Sequence, residues 1–204
     1  MRKVAIRVYA PSESLVFLKT KEVFGGLSNM AGGYPIIVND VVFLTSEALY
    51  QSCRFPHLPE LQRLIVSQTS PMTAKMRIKP MLNESREDWL QVRVRVMRWC
   101  IACKLVQNWT RFSELLLNTG DLPIVEQSRK DRFWGAVPVE GKLVGANVLG
   151  RLLMELRETV RQGGQFFEVL PPVPEVDRFL LFGKSVGRVA FCDGSDLHKV
   201  DSLF

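Results

Sequence analysis

Glu47, Tyr50, Gln51 and Arg54 offer an acid, a phenol, an amide and a guanidinium within one short stretch of chain. Their spacing of i, i+3, i+4 and i+7 predicts a shared helical face. Thr45 or Ser46 suits the N-cap, because a hydroxyl there accepts an unpaired backbone N–H. Glu47 then falls in the first turn, where the helix dipole favours negative charge. Leu49 and Cys53 project elsewhere and pack inward. Alone, this pattern also fits a solvated face with a capping glutamate. Other residues widen the choice: Asn29 follows glycines, Trp89 opens a long helical pattern, and Asp131, Trp134 and Gly135 share a loop. Asn147 lies between Gly145 and Gly150. Singly, each reads as a turn, cap or core residue. Together they supply carboxylates, flat aromatic surfaces and glycine-lined backbone, as a nucleotide or glycoside pocket requires.

The elements that must position these groups fit a chain of 204 residues, 47% of them hydrophobic. That is enough for one well-buried domain with a tail. A net charge of +6 favours anionic partners, such as nucleotides or nucleic acid. Cys100 and Cys103 form a C-x-x-C inside a helical pattern with no second ligand pair, which points to packing thiols and no metal site. No apolar run approaches the ~18 residues of a membrane span, and no secretory apolar region opens the chain. The expected setting is cytoplasmic, with reduced thiols.

Residues 3–9 and 15–19 read as short strands, and Ile36–Val38 with Val41–Phe43 as a hairpin around Asn39-Asp40. Short helices are expected over 59–67 and, from the Ser70-Pro71 start, to Met76. A long helix is expected from Ser85 to about Asn108, opened by a Ser85/Asp88 capping box. Its Val92, Val96, Trp99, Cys103 and Val106 make an apolar stripe, with Arg93, Arg95 and Arg98 outside it. Another helix carries Phe112, Leu115 and Leu116 and stops at Gly120. Residues 122–126 form a strand and 129–137 a loop. Asn147 caps the last long helix, which ends at Gly163-Gly164. A stiff Pro171–Pro174 spacer precedes strands near 179–182 and 186–191. The fold class is α+β, mostly α-helical: residues 1–163 form one domain, and 164–204 a C-terminal extension.

Several of these blocks stand in a recognisable order: Phe24-Gly-Gly-Leu-Ser-Asn-Met, Leu44-Thr-Ser-Glu-Ala-Leu-Tyr-Gln, Ser70-Pro-Met-Thr-Ala-Lys, Arg86-Glu-Asp-Trp, Asp131-Arg-Phe-Trp-Gly and Asn147-Val-Leu-Gly-Arg. Over roughly residues 17–160 the chain resembles the NADAR, or YbiA-like, family. The resemblance implies N-glycoside cleavage, with no cofactor. Some members split a ribose phosphate from nitrogen in riboflavin-pathway intermediates. Others remove ADP-ribose from guanine in DNA, opposing a DNA ADP-ribosyltransferase toxin. The Ala48–Phe55 version of the helix is closer to the second group.

Cleaving a ribosyl C1′–N bond builds positive charge on the sugar. Glu47 is the candidate to stabilise that charge or activate water, and Asp131 to protonate the leaving nitrogen or orient groups around it. Trp89 and Trp134 could stack on the base or wall off the ribose, beside Tyr50. Arg54 suits a phosphate or pyrophosphate, Asn29 and Asn147 could bond ribose or base edges, and the backbone around Gly135 borders the same loop. Many relatives have His at the position of Ala48 and Lys at that of Arg54. Arginine stays protonated and is a poor amine nucleophile. Lys75, Lys79 or Lys104 would have to replace it if the reaction needs an amine; otherwise water attacks, or the fold has become an ADP-ribose or NAD binder.

Overall fold

A computed structural model describes residues 4–162, 171–187 and 189. The architecture is α+β, with six α-helices and short strands among the described residues. It divides into two compact units, one from the described residues of 1–31 and 111–166, the other from those of 32–110 and 167–204.

In the first unit, β1 (Arg7–Tyr9) pairs antiparallel with β7 (Lys142–Gly145), which pairs with β6 (Val137–Val139). β2 (Leu15–Phe17) and β5 (Ile124–Glu126) run parallel. α5 (Trp109–Leu117) buries Phe112 and Leu116, and α6 (Val148–Arg161), which packs on β5, buries Leu149, Leu152, Leu153 and Leu156. The β6–β7 hairpin begins at Val137, the last residue of the expected loop. Pro138 weakens the strand signal because proline cannot donate to a ladder, and β6 is the edge strand, where that is tolerated. Its turn takes Glu140 and Gly141 to φ of 47° and 76°.

The second unit is built around α1 (Ser46–Ser52), every residue of which is buried. Thr45 caps it, its Oγ1 accepting the Ala48 N–H at 3.1 Å. α2 (Pro59–Val66), α3 (Pro71–Ile78) and α4 (Trp89–Gln107) all pack on it. Ser70 caps α3 as expected, accepting the Thr73 N–H at 3.4 Å. A 3-10 segment, Lys79–Glu84, leads towards α4. The stripe of α4 is buried as read, but the capping box is not formed. Helix α4 starts at Trp89 with no side-chain cap, Asp88 pairs with Arg86, and Ser85 Oγ donates to the Leu82 carbonyl at 2.5 Å.

β3 (Ile36–Val38) and β4 (Val41–Phe43) form the expected hairpin, with Asn39 and Asp40 at φ of 52° and 62°. Gln107 at the end of α4 covers the β3 edge, accepting the Ile37 N–H at 2.6 Å and donating to its carbonyl at 3.0 Å. β8 (Leu180–Leu181) and β9 (Lys184–Ser185) follow the proline spacer. The second tail strand thus comes earlier than expected. The Gly163-Gly164 stop lies outside the described residues, as does half of the expected 186–191 strand. No helix of the described residues is long and apolar enough to cross a membrane.

Candidate active site

The face predicted for α1 exists, but it is buried against the other helices of its unit. Glu47 is 6% exposed, and its Oε1 accepts from Gln51 Nε2 at 2.9 Å and from the Lys75 ammonium at 3.2 Å. Lys75 reaches it from α3 and remains about half exposed. A carboxylate and an ammonium thus meet at the first turn of α1, where the helix dipole also supports the negative charge. Sequence named both groups but could not pair them, because α3 approaches α1 only through tertiary packing.

One turn further along α1 and just past its end, Tyr50 and Arg54 both lie against Trp89. The Tyr50 and Trp89 rings are centred 4.9 Å apart, and the Arg54 guanidinium lies 5.3 Å from the Trp89 ring centre. Burial, reinforced by the Glu47 charge, pushes the Tyr50 phenol far up, so its hydroxyl stays a donor at neutral pH. Burial draws the Arg54 guanidinium down from its ordinary value. Arg54 Nε donates to Ser85 Oγ at 2.5 Å, and the Arg86 N–H bonds the Arg54 carbonyl at 3.0 Å. Ser85 therefore positions Arg54 and does not cap α4, a function hidden in the sequence by a good capping pattern.

The remaining lysine candidates differ from Lys75. Lys79 is exposed at the start of the 3-10 segment. Lys104 is 1% exposed, with Nζ 4.4 Å from the Tyr34 ring centre, and desolvation pulls its pKa down to about 7. Its folded pKa lies below the unfolded value of ~10.4, so the unfolded chain holds more protons between these values. Stability from this group rises with pH across that window, and burial of the charge costs most below pH 7. We expect Lys104→Met to be more stable than wild type at pH 6.5, with the gap closing by pH 10 in thermal melts. A constant gap would mean that the lysine does not titrate as its burial implies.

Asn29, Asp131, Trp134, Gly135 and Asn147 belong to the first unit. Asn29 is buried. Asp131 is exposed, and its Oδ1 accepts the N–H groups of Phe133 and Trp134 at 2.8 and 2.9 Å. That makes it the organiser of a turn, with Trp134 set edge-on to Phe133. A Cβ on Gly135 would sit 2.5 Å from the Glu126 carbonyl, so this glycine admits the chain's own backbone. Asn147 stands at the expected helix start but does not cap it through its side chain. It precedes α6 in the left-handed region, at φ 47°. Fully buried, it instead donates to the Ile124 carbonyl at 2.8 Å and accepts the Glu126 N–H at 3.1 Å. Both polar atoms are committed to β5, where a sugar or base edge would have to compete for them.

Cys53, Cys100 and Cys103 are buried free thiols. Desolvation pushes Cys100 and Cys103 up, so they behave as packing groups. Glu47 and Lys75 are thus the carboxylate and ammonium that meet on the α1 face.

The NADAR domain family matches residues 16–161, which include the α1, α3 and α4 blocks just described. The N-glycosidase YbiA of Escherichia coli is 33% identical over 145 residues, 70% of this chain and 85% of that protein. A Vibrio vulnificus riboflavin biosynthesis protein is 33% identical over 159 residues, and the chain spans only 41% of that protein's length. The NMR structure of E. coli YbiA superposes with a TM-score of 0.63 at 29% identity, covering 80% of this chain and 92% of that one. In sequence and in fold, then, the chain belongs to the NADAR domain family.

Proposed function

We propose that the protein is a hydrolase of N-glycosyl bonds that releases ADP-ribose from guanine in DNA. The observation that carries the N-glycosidase chemistry is the Glu47–Lys75 contact of 3.2 Å on a buried helix start, in a family whose members include proteins named N-glycosidase. Two features favour the ADP-ribosyl substrate over a small ribose phosphate. The chain is basic, with a net charge of +6, and Arg54 with its neighbouring aromatic stack extends the site beyond the reacting sugar.

As the C1′–N bond breaks, its electron pair leaves with the base and the sugar becomes oxocarbenium-like. The Glu47 carboxylate stabilises that charge and takes a proton from the attacking water. The base nitrogen must gain a proton as it departs. Lys75, an ammonium in this ion pair, is a cation in position to supply one. An amine route would require Lys75 first to lose that proton to Glu47 and then to bond C1′. A DNA repair or antitoxin role, paired with a DNA ADP-ribosyltransferase, follows if the substrate is modified DNA.

The test is an oligonucleotide carrying ADP-ribose on guanine, followed by mass with and without borohydride. Recovery of unmodified guanine and free ADP-ribose is expected. A reduced adduct on Lys75 would select the amine route over water. Cleavage of a riboflavin-pathway ribose phosphate with the modified DNA left intact would overturn the DNA reading, and binding without turnover of either would make the fold a binder.

A further inference from the structure

The described part of the C-terminal extension lies outside the family-matching residues, yet it is built into the unit that carries Glu47. Gln62, fully buried on α2, accepts the Phe182 N–H at 2.6 Å. The same side chain donates to the carbonyls of Leu180 at 3.1 Å and Ser52 at 3.0 Å. One amide thus joins the β8 strand to the last residue of α1. Arg86 Nη2 donates to the Asp177 carbonyl at 2.6 Å, and Arg95 Nη1 to that of Glu175 at 2.8 Å. Phe179 packs edge-on to Trp99 at 5.2 Å, and Leu181 is fully buried.

Held in this way, residues 177–180 form one wall of a cavity of about 980 Å³ whose other wall is the 83–88 loop. That volume lies at the upper end of the range for small-molecule sites, ~300–1,000 Å³. The loop wall includes Ser85, the residue that holds Arg54, so the cavity adjoins the far end of the Glu47 helix face. Asp88 is paired with Arg86, which leaves Glu84, Glu87 and Asp177 as exposed carboxylates on the cavity, with Arg178 as a counter-charge. Such a lining resists a terminal phosphate and suits hydroxyl and amine donors. Carboxylates on a ribose diol are a recurrent nucleoside contact. Pro56 and Leu180 add apolar surface for a base. The Arg86 side chain, only 8% exposed, ties the two walls together, with Nε and Nη2 donating to Asp88 and Nη2 also to the Asp177 carbonyl.

We propose that this cavity is a nucleoside subsite that receives the adenosine end of an ADP-ribosyl substrate, its ribose hydroxyls on Glu87 and Asp177, with the diphosphate near Arg54 and the reacting ribose at Glu47. The inference rests on the ADP-ribosyl reading above. Scale supports it: Arg54 follows Glu47 by seven positions, two residues past the end of α1, about 10 Å along the helix direction. A ribose phosphate anchored at Glu47 has no second nucleoside to place beyond Arg54, whereas ADP-ribose does.

The test compares wild type with the double variant Glu87→Ala/Asp177→Ala, on modified oligonucleotide turnover and on calorimetric binding of ADP-ribose and ribose 5-phosphate. Both side chains are exposed, so the melting temperature should hold. We expect KM for the oligonucleotide and Kd for ADP-ribose to rise about tenfold or more, in line with loss of charge-assisted hydrogen bonds. The kcat and the ribose 5-phosphate affinity should stay unchanged. Wild-type turnover with an unaltered KM in the variant would overturn the subsite and leave the function standing. No wild-type turnover of the modified oligonucleotide would overturn both.

Discussion

Glu47→Gln is expected to lower N-glycoside turnover by about 10³-fold or more, the combined range for removing a general base and an electrostatic stabiliser. Glutamine keeps the shape of the side chain and an oxygen for the Gln51 amide, which now lies 2.9 Å from Glu47 Oε1. It cannot carry the charge that a sugar cation needs beside it, nor take a proton from water. The fold should survive for a reason specific to this pair. Breaking a buried ion pair is costly when the surviving charge stays buried. Here the survivor is Lys75, whose side chain is 46% exposed, so its ammonium rehydrates. The pair should contribute at most about 1 kcal/mol, as partly exposed pairs do. Melting curves and ADP-ribose affinity should therefore change little while kcat collapses. A variant retaining about a tenth or more of the wild-type kcat would remove Glu47 from the chemistry, because general-base loss alone costs at least ~10²-fold.

What sequence revealed here is what is local. The Thr45 cap, the Ser70 cap and the Asn39-Asp40 hairpin each depend on residues within a few positions, and each formed at the expected place. The apolar stripe of α4 is periodic and equally readable. The site required more, since its parts come from α1, α3 and the loop before α4. Only the resemblance singled out Lys75, and nothing short of the fold could set it 3.2 Å from Glu47. Gln62 left no signal at all, because a buried glutamine on an amphipathic helix looks like any polar position until its partners 118 and 120 residues away are known. Ser85 and Asn147 misled for one shared reason. Serine and asparagine are favoured at helix starts, yet both stand near helix starts while bonding elsewhere, Ser85 to Arg54 and Asn147 to β5.

Asn147→Ala should be the most damaging single change to the first unit, and it separates a structural residue from a ligand-binding one. The side chain satisfies the Ile124 carbonyl and the Glu126 N–H while itself fully buried. Alanine leaves both backbone groups without a partner, at about 1–3 kcal/mol each. It must also adopt φ 47°, a left-handed conformation costing roughly 1–2 kcal/mol that asparagine tolerates better. No larger residue nearby can fill in, because Gly150 is so close that a Cβ there would collide with the Ile124 carbonyl and with Asn147 itself. A loss of at least about 3 kcal/mol is expected, and at ~2–4 °C per kcal/mol for a chain of this size the melting temperature should fall by about 6 °C or more. Asn147→Gly relieves the backbone cost and keeps the broken bonds, so its melt should lie between the two. A melting temperature that holds in Asn147→Ala while KM rises would instead return Asn147 to the substrate. The two bonds to β5 would then be incidental to stability, and α6 would owe its placement to the buried leucines alone.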